Sequence, residues 1–249
     1  MLVIFFLGAL LSPSLVPPPG AHVDAVQDAA PADDPDRLYA DRENAASAAR
    51  AAAIWEERLA ADPASFESAW KLSRICYWLG GHVAPDARRR QYERGIDAGK
   101  QATMIEANRP EGYFWMAASM GALAESFGLR AGLRYRGAIK DALEMVLKID
   151  PSFQQGSADR ALGRWYHKVP GLFGGSNSKS VEHLRRALTY NPDSTISHFF
   201  LAETLLDMNR RAEAREAFQK VLDAPLHPEW VPEDREFKQR AQAALARLP

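Results

Sequence analysis

Apolar side chains recur along this chain in steps of three and four residues. Ala69, Leu72, Cys76 and Leu79 step by three, four and three, as do Ile139, Ala142, Val146 and Ile149; Phe237, Ala241, Ala244 and Leu248 step by four, three and four. An α-helix turns once in about 3.6 residues, so each set falls on one side of a helix and gives it a single apolar stripe. Alternation with period two, the mark of a half-buried strand, is never sustained. The pattern predicts an all-α protein in which every helix buries one face. It also puts Cys76 on a buried face, as a small structural hydrophobe and not a reactive thiol.

Between the stripes the chain repeats a stop signal. "LAADP", "EANRP", "LKIDP" and "LTYNP" end at Pro63, Pro110, Pro151 and Pro192, and "VLDAP" follows at Pro225, with gaps of 47, 41, 41 and 33 residues. A helix that ends on Asp or Asn before proline, with another apolar pattern opening at once, is the punctuation of stacked helical hairpins. The expected architecture is an α-solenoid of about four hairpins plus a C-terminal helix, spanning residues 39–249.

Two segments precede it. Leu2–Leu11 is an apolar run of ten residues, shorter than the roughly 20 a membrane-spanning helix needs and of the length of a signal-peptide core. Pro17–Pro19 and Gly20 stop any helix, and Val23 and Ala25 are the small residues a signal peptidase inspects, so residues 1–25 read as a signal peptide cut after Ala25. The expected location is the periplasm or another exported compartment, or the cytoplasm if that leader does not function. Residues 26–38, beginning "VQDAAPADDPDR", are small, acidic and punctuated by proline, and suit a flexible tether.

Charge and composition narrow the chemistry. The 249 residues are 47% hydrophobic and 25% charged, which suits a chain that buries a substantial core. Lys plus Arg number 31 against 32 Asp plus Glu, and Asp24 is the one charged side chain of the first 25 residues, so the mature chain is neutral. Neutrality argues against a nucleic-acid partner, which demands a basic excess. A single cysteine excludes an intrachain disulfide and a multi-cysteine zinc site, and no cysteine stands near Ala25 to carry a lipid.

The stretch "KVPGLFGGSNSKSVEHL", residues 168–184, looks most like chemistry. A phosphate loop needs glycine before its lysine, where Ser178 stands before Lys179, and a nucleophile elbow needs glycine two residues after Ser176, where Ser178 again stands. The stretch therefore reads as a hairpin connection, relaxed by Gly174 and Gly175, with one of its serines capping a helix that begins near Ser178 or Lys179. The histidines show no paired ligand spacing and no carboxylate or Ser-His-Asp set stands out. No cofactor, no metal and no catalysis are expected.

The unit "FLAETLLDMNRRAEAREAFQKVLDAP", residues 200–225, resembles the tetratricopeptide repeat: Leu201 and Ala202 stand at its Leu-Gly pair, Leu205 at its aromatic position, and Ala214, Phe218, Val221 and Pro225 along its second helix. "LGRWY", residues 162–166, keeps the Leu-Gly pair itself. The stretches "RICYWLGG", "YFWMAASMGALAE", "LGRWYHKVPGLFGGSNSKSVEHLRRAL" and "VPEDREFKQRAQAALARL" together look like the periplasmic tetratricopeptide protein associated with TRAP transporters, its T component. The layout is also similar to the eukaryotic regulators of microtubule dynamics. The first resemblance implies a non-catalytic accessory of a solute-uptake system that contacts a periplasmic solute-binding protein; the alternative is a general scaffold for an envelope complex with no transported ligand.

In such a solenoid the first helices of the hairpins line the concave face. Tyr77, Trp78, Tyr113, Trp115, Trp165, Tyr166, His198 and Phe199 lie on those helices and are the candidate contacts for a partner, a small hydrophobic ligand or a second copy of the chain. Adjacent aromatics point about 100° apart, so part of this set must be core. Phe173, Gly174, Gly175 and Asn177 are the candidate contacts on the loop.

Overall fold

The structure is a computed structural model that describes residues 34–248. The expected signal peptide, residues 1–25, and residues 26–33 of the expected tether lie outside the described residues. Every regular element described is helical: α1 (Pro35–Ala40), α2 (Ala45–Ala61), α3 (Phe66–His82), α4 (Pro85–Ile105), α5 (Pro110–Phe127), α6 (Leu129–Ile149), α7 (Phe153–Lys168), a 3-10 turn (Gly171–Phe173), α8 (Asn177–Tyr190), α9 (Thr195–Asp207), α10 (Arg211–Asp223) and α11 (Val231–Arg247). The pairs α3/α4, α5/α6, α7/α8 and α9/α10 are the four expected hairpins, with α1 and α2 stacked before them and α11 after.

The punctuation works as the sequence suggests. Asp62, Asp150 and Asn191 each precede a proline and end their helices in extended conformation, because the proline ring disfavours helical geometry in the residue before it. Ser65 and Ser194 then accept hydrogen bonds from the amides of Ser68 and Ser197 and start the next helix. On the loop between α7 and α8, the capping serine is Ser176, and the helix opens at Asn177, ahead of the expected Ser178 or Lys179. The start of the folded part also moves. Asp34 caps α1 and Pro35 occupies its first turn, so this helix opens inside the expected tether. It holds because Asp36 pairs with Lys71 at 2.5 Å and Arg74 at 3.4 Å on α3.

The stripes form three hydrophobic clusters, along α2–α4, α4–α7 and α8–α11, the first two sharing Trp70. Ala69, Leu72, Cys76 and Leu79 are all buried, as are Ile139, Ala142 and Val146. Of the α11 stripe only Ala241 is fully buried, while Phe237, Ala244 and Leu248 are half-covered. Small residues set the helix spacing. A Cβ on Gly99 would lie 2.7–2.9 Å from Met116 on α5, backbone atoms included, and one on Gly163 would meet Leu184 at 2.5 Å, so these glycines let neighbouring helices nearly touch.

Two expectations follow. Gly99→Ala gains about 1 kcal/mol of helix propensity but drives a methyl into the α5 backbone, an overpacking that costs about 1–3 kcal/mol, so urea denaturation should show net loss. Gly137→Ala, where a Cβ would meet nothing within 4 Å, should instead gain about 0.5–1 kcal/mol. Burial pushes the Cys76 thiol up to about 12; a thiol-specific disulfide reagent should therefore label it only at the rate of unfolding, and fast labelling of folded protein would contradict this packing.

Candidate functional site

The first helices α3, α5, α7 and α9 lie side by side along the array. An ion-pair ladder ties three of them: Arg164 on α7 takes Glu125 on α5 in a fork of 2.8 and 2.9 Å, and also pairs with Glu203 on α9. Burial alone would raise the Glu125 carboxyl, but the Arg164 fork outweighs it and holds it below the usual range. One rung further, His167 meets Asp207 at 2.7 Å.

Most of the expected groove aromatics turn inward. Trp78 is core: its Nε1 donates to the Arg42 carbonyl at 2.9 Å and its ring stacks on His82. Trp165 donates to the Arg136 carbonyl on α6 at 2.9 Å and packs edge-on against Tyr166, which in turn stacks on His183 of α8. Phe199 is enclosed by Phe218 and Phe237. These four are corrected to packing residues, because a large ring on the side of the helix facing its hairpin partner gains more from burial than from solvent. Tyr113 is half-exposed, with its hydroxyl donating to the Ala107 carbonyl.

His198 is also buried, and its Nε2 donates to the Pro192 carbonyl at 2.7 Å while Nδ1 has no partner. It borders a cavity of about 240 Å³ shared with Asp193, Lys220 and Asp223. On the loop, Phe173 is half-buried near the Arg136 guanidinium, Gly174 takes a left-handed φ of 102°, and a Cβ on Gly175 would collide with the Val169 carbonyl. Asn177 is the first residue of α8. These four shape a tight turn; the exposed feature at its tip is Leu172, a residue sequence reasoning passed over.

Tyr77 is exposed, while Trp115 is buried in the α4–α7 cluster beside it. Their rings lie 5.7 Å apart on α3 and α5, and the Trp115 Nε1 is buried without a hydrogen-bond partner. Tyr77 keeps 37% of its surface reachable, yet burial drives its phenol upward and Arg160 and Glu233 act on it electrostatically. Arg160 on α7 is 8% exposed, with its Nη1 unpartnered and its guanidinium pulled down to about 10 by burial, offset only in part by Tyr77 and Asp234.

The connection from α10 to α11 reaches α7, α9 and the turn between α1 and α2. His227 meets the Gln155 amide of α7 at 3.0 Å and stacks on Trp230, whose ring lies 5.8 Å from the Arg160 guanidinium. Asp234 accepts from Thr195 on α9 and from the His227 amide. At the far end, Arg42 in the turn between α1 and α2 forks onto Glu233 at 2.5 and 3.1 Å and donates to the Glu229 carbonyl at 2.9 Å, with Arg235 and Glu43 pairing beside it. Burial would lower the Arg42 guanidinium, but Glu233 outweighs it and leaves it raised. Gln155 reaches this connection from strained backbone: Gln154, Gln155 and Gly156 all have positive φ at the start of α7.

Sequence reasoning missed Arg42, Gln155, Arg160, Trp230, Glu233 and Asp234. The one available signal was the phrase "HPEWVPED", in which two prolines frame an acid and an aromatic and two more acids follow, too rigid and too specific for an ordinary connection. Among the described residues no group of His, Cys, Asp and Glu is placed to hold a metal, and no helix is long and apolar enough to cross a membrane.

Burial lowers the His198 pKa below its ordinary value, outweighing the Pro192 carbonyl. The unfolded chain then binds this proton first, so stability should fall as pH drops from about 7 toward 5, and His198→Gln should flatten that slope in urea titrations; an unchanged slope would remove His198 as its source.

A sequence profile described as RMD1-3, Regulator of microtubule dynamics protein 1-3, matches residues 33–174. Regulator of microtubule dynamics protein 1 of Caenorhabditis elegans is 22% identical over 172 residues, covering 63% of this chain and 75% of that protein. Among solved structures, TTC0263, a thermophilic TPR protein of Thermus thermophilus, superposes with a TM-score of 0.64 at 22% identity, over 85% of this chain and 97% of that one. MamA gives 0.50 at 17% identity, over 80% and 95%. Those likenesses establish the fold, a tetratricopeptide solenoid. The profile takes in more than half the chain, and this protein belongs to the family of regulators of microtubule dynamics proteins 1-3.

Proposed function

We propose that this chain is a non-catalytic scaffold that holds a segment of another protein against its concave face. The observation that carries the reading is the exposed ring of Tyr77 together with two buried donors that have no partner, Trp115 Nε1 and Arg160 Nη1, on three successive first helices. Unsatisfied buried donors are costly, and a bound segment that accepts their hydrogen bonds recovers that cost.

The narrower role is an accessory of a TRAP-type uptake system in the periplasm, with a solute-binding protein as partner. It is supported by the apolar leader and by the resemblance of "RICYWLGG" and "LGRWYHKVPGLFGGSNS" to the T component. A second reading, a cytoskeletal partner, is favoured by the family match, whose members are named for microtubule dynamics.

The full-length chain with a C-terminal tag, cross-linked in its native host and recovered for mass spectrometry, separates them. A solute-binding protein in near-equal amount supports the uptake role, cytoskeletal protein supports the second, and recovery of neither removes both. Tyr77→Ala should reduce the recovered partner at least several-fold without shifting the melting temperature, since this side chain is the exposed one of the three.

A further inference from the structure

The turn ends of the second and third hairpins carry a charge that the whole-chain balance of 31 Lys plus Arg against 32 Asp plus Glu conceals. Residues 129–140 at the start of α6 and residues 168–180, from the end of α7 into α8, hold Arg130, Arg134, Arg136, Lys140, Lys168 and Lys179 and not one carboxylate. Lys140 pairs with Glu144 on its own helix at 2.6 Å; among the described residues the other five make no ion pair. Glu125, the nearest acid before α6 in sequence, is spent on Arg164.

The two segments meet in one surface. The Trp165 indole donates to the Arg136 carbonyl at 2.9 Å, and the Phe173 ring lies 5.5 Å from the Arg136 guanidinium. Leu129 stands two turns before Arg136 on the same side of α6, about 10 Å along its axis. The leucines of this surface point away from the core: Leu172, next to Phe173, is 89% exposed and Leu129 is 61% exposed. Each stands at a tight turn of the chain, Leu172 ahead of the left-handed Gly174 and Leu129 directly after Gly128, whose φ is also positive. An exposed leucine at such a tip needs a matching pocket on a protein partner, whereas a bilayer accepts it without one, and the basic side chains around it attract anionic headgroups.

We infer that this edge docks the solenoid on an anionic lipid bilayer, with Leu172 and Leu129 entering the headgroup level and Arg130, Arg134, Arg136, Lys168 and Lys179 facing the lipid phosphates. Two leucines and five cations suit a peripheral, reversible and salt-sensitive contact. The contact goes beyond the scaffold reading and does not depend on which protein partner the scaffold holds.

Co-sedimentation of the full-length protein with vesicles tests this, using phosphatidylcholine alone and phosphatidylcholine with phosphatidylglycerol in equal parts. The proteins compared are wild type, Arg130→Gln with Arg134→Gln, Leu172→Ser, and a control, Lys100→Gln with Lys148→Gln, which removes the same charge from exposed positions near the C-terminal ends of α4 and α6. All share the apolar run Leu2–Leu11, so its contribution cancels between them. Melting curves confirm that each is folded. Wild type should bind the anionic vesicles about tenfold more tightly than the neutral ones and lose that preference as salt rises. The arginine variant should lose about tenfold on anionic vesicles, and Leu172→Ser several-fold with its salt dependence kept, while the control matches wild type. Equal binding of wild type to both vesicles, an arginine variant that binds like wild type, or a control that falls as far as the arginine variant overturns the inference. So does capture of a poly-glutamate peptide that the arginine variant loses while anionic vesicles hold no more protein than neutral ones, since the occupant is then an acidic protein segment.

Discussion

Each helix of this protein carries an apolar stripe that it cannot bury alone, and the array follows from that dependence. The stripe Ala69, Leu72, Cys76 and Leu79 is covered only when α2 and α4 pack against α3, and the same holds at every step to α11. A stack built this way has two ends without a natural neighbour. Along α11, Phe237, Ala244 and Leu248 stay half-covered. At the N-terminal end the short α1 supplies the cover, pinned by Asp36 to Lys71 and Arg74.

The two ends are then joined, and charge does the joining. Arg42 is buried between the Tyr39 and Trp78 rings and Glu233, so its desolvation is answered by two aromatic faces, a carboxylate fork and two carbonyls. The connection from α10 to α11 thereby ties the turn between α1 and α2 to first helices α7 and α9. First helices α5, α7 and α9 carry the Glu125, Arg164 and Glu203 ladder, which fixes their mutual register.

Whether an aromatic ring is exposed or buried turned on single-residue steps of helical angle. Tyr77 and Trp78 are neighbours, yet one is exposed and the other is sealed under Arg42. Trp165 and Tyr166 both point toward α6 and α8, while Arg160, which precedes them by about one turn and a half, faces the Trp230 ring.

The sequence by itself determined the helices, their ends and the hairpin stacking, because these depend on local terms: stripes at 3.6 periodicity, Asp or Asn before proline, serine caps, and glycines where helices nearly touch. Within the stretch 168–184 it also marked the connection that joins α7 to α8. Only the tertiary structure decided the site. Arg42 and Glu233 meet across 191 residues, and Trp230 lies 5.8 Å from the Arg160 guanidinium; contacts between residues so far apart in the chain depend on how the hairpins stack and leave no mark in any local pattern.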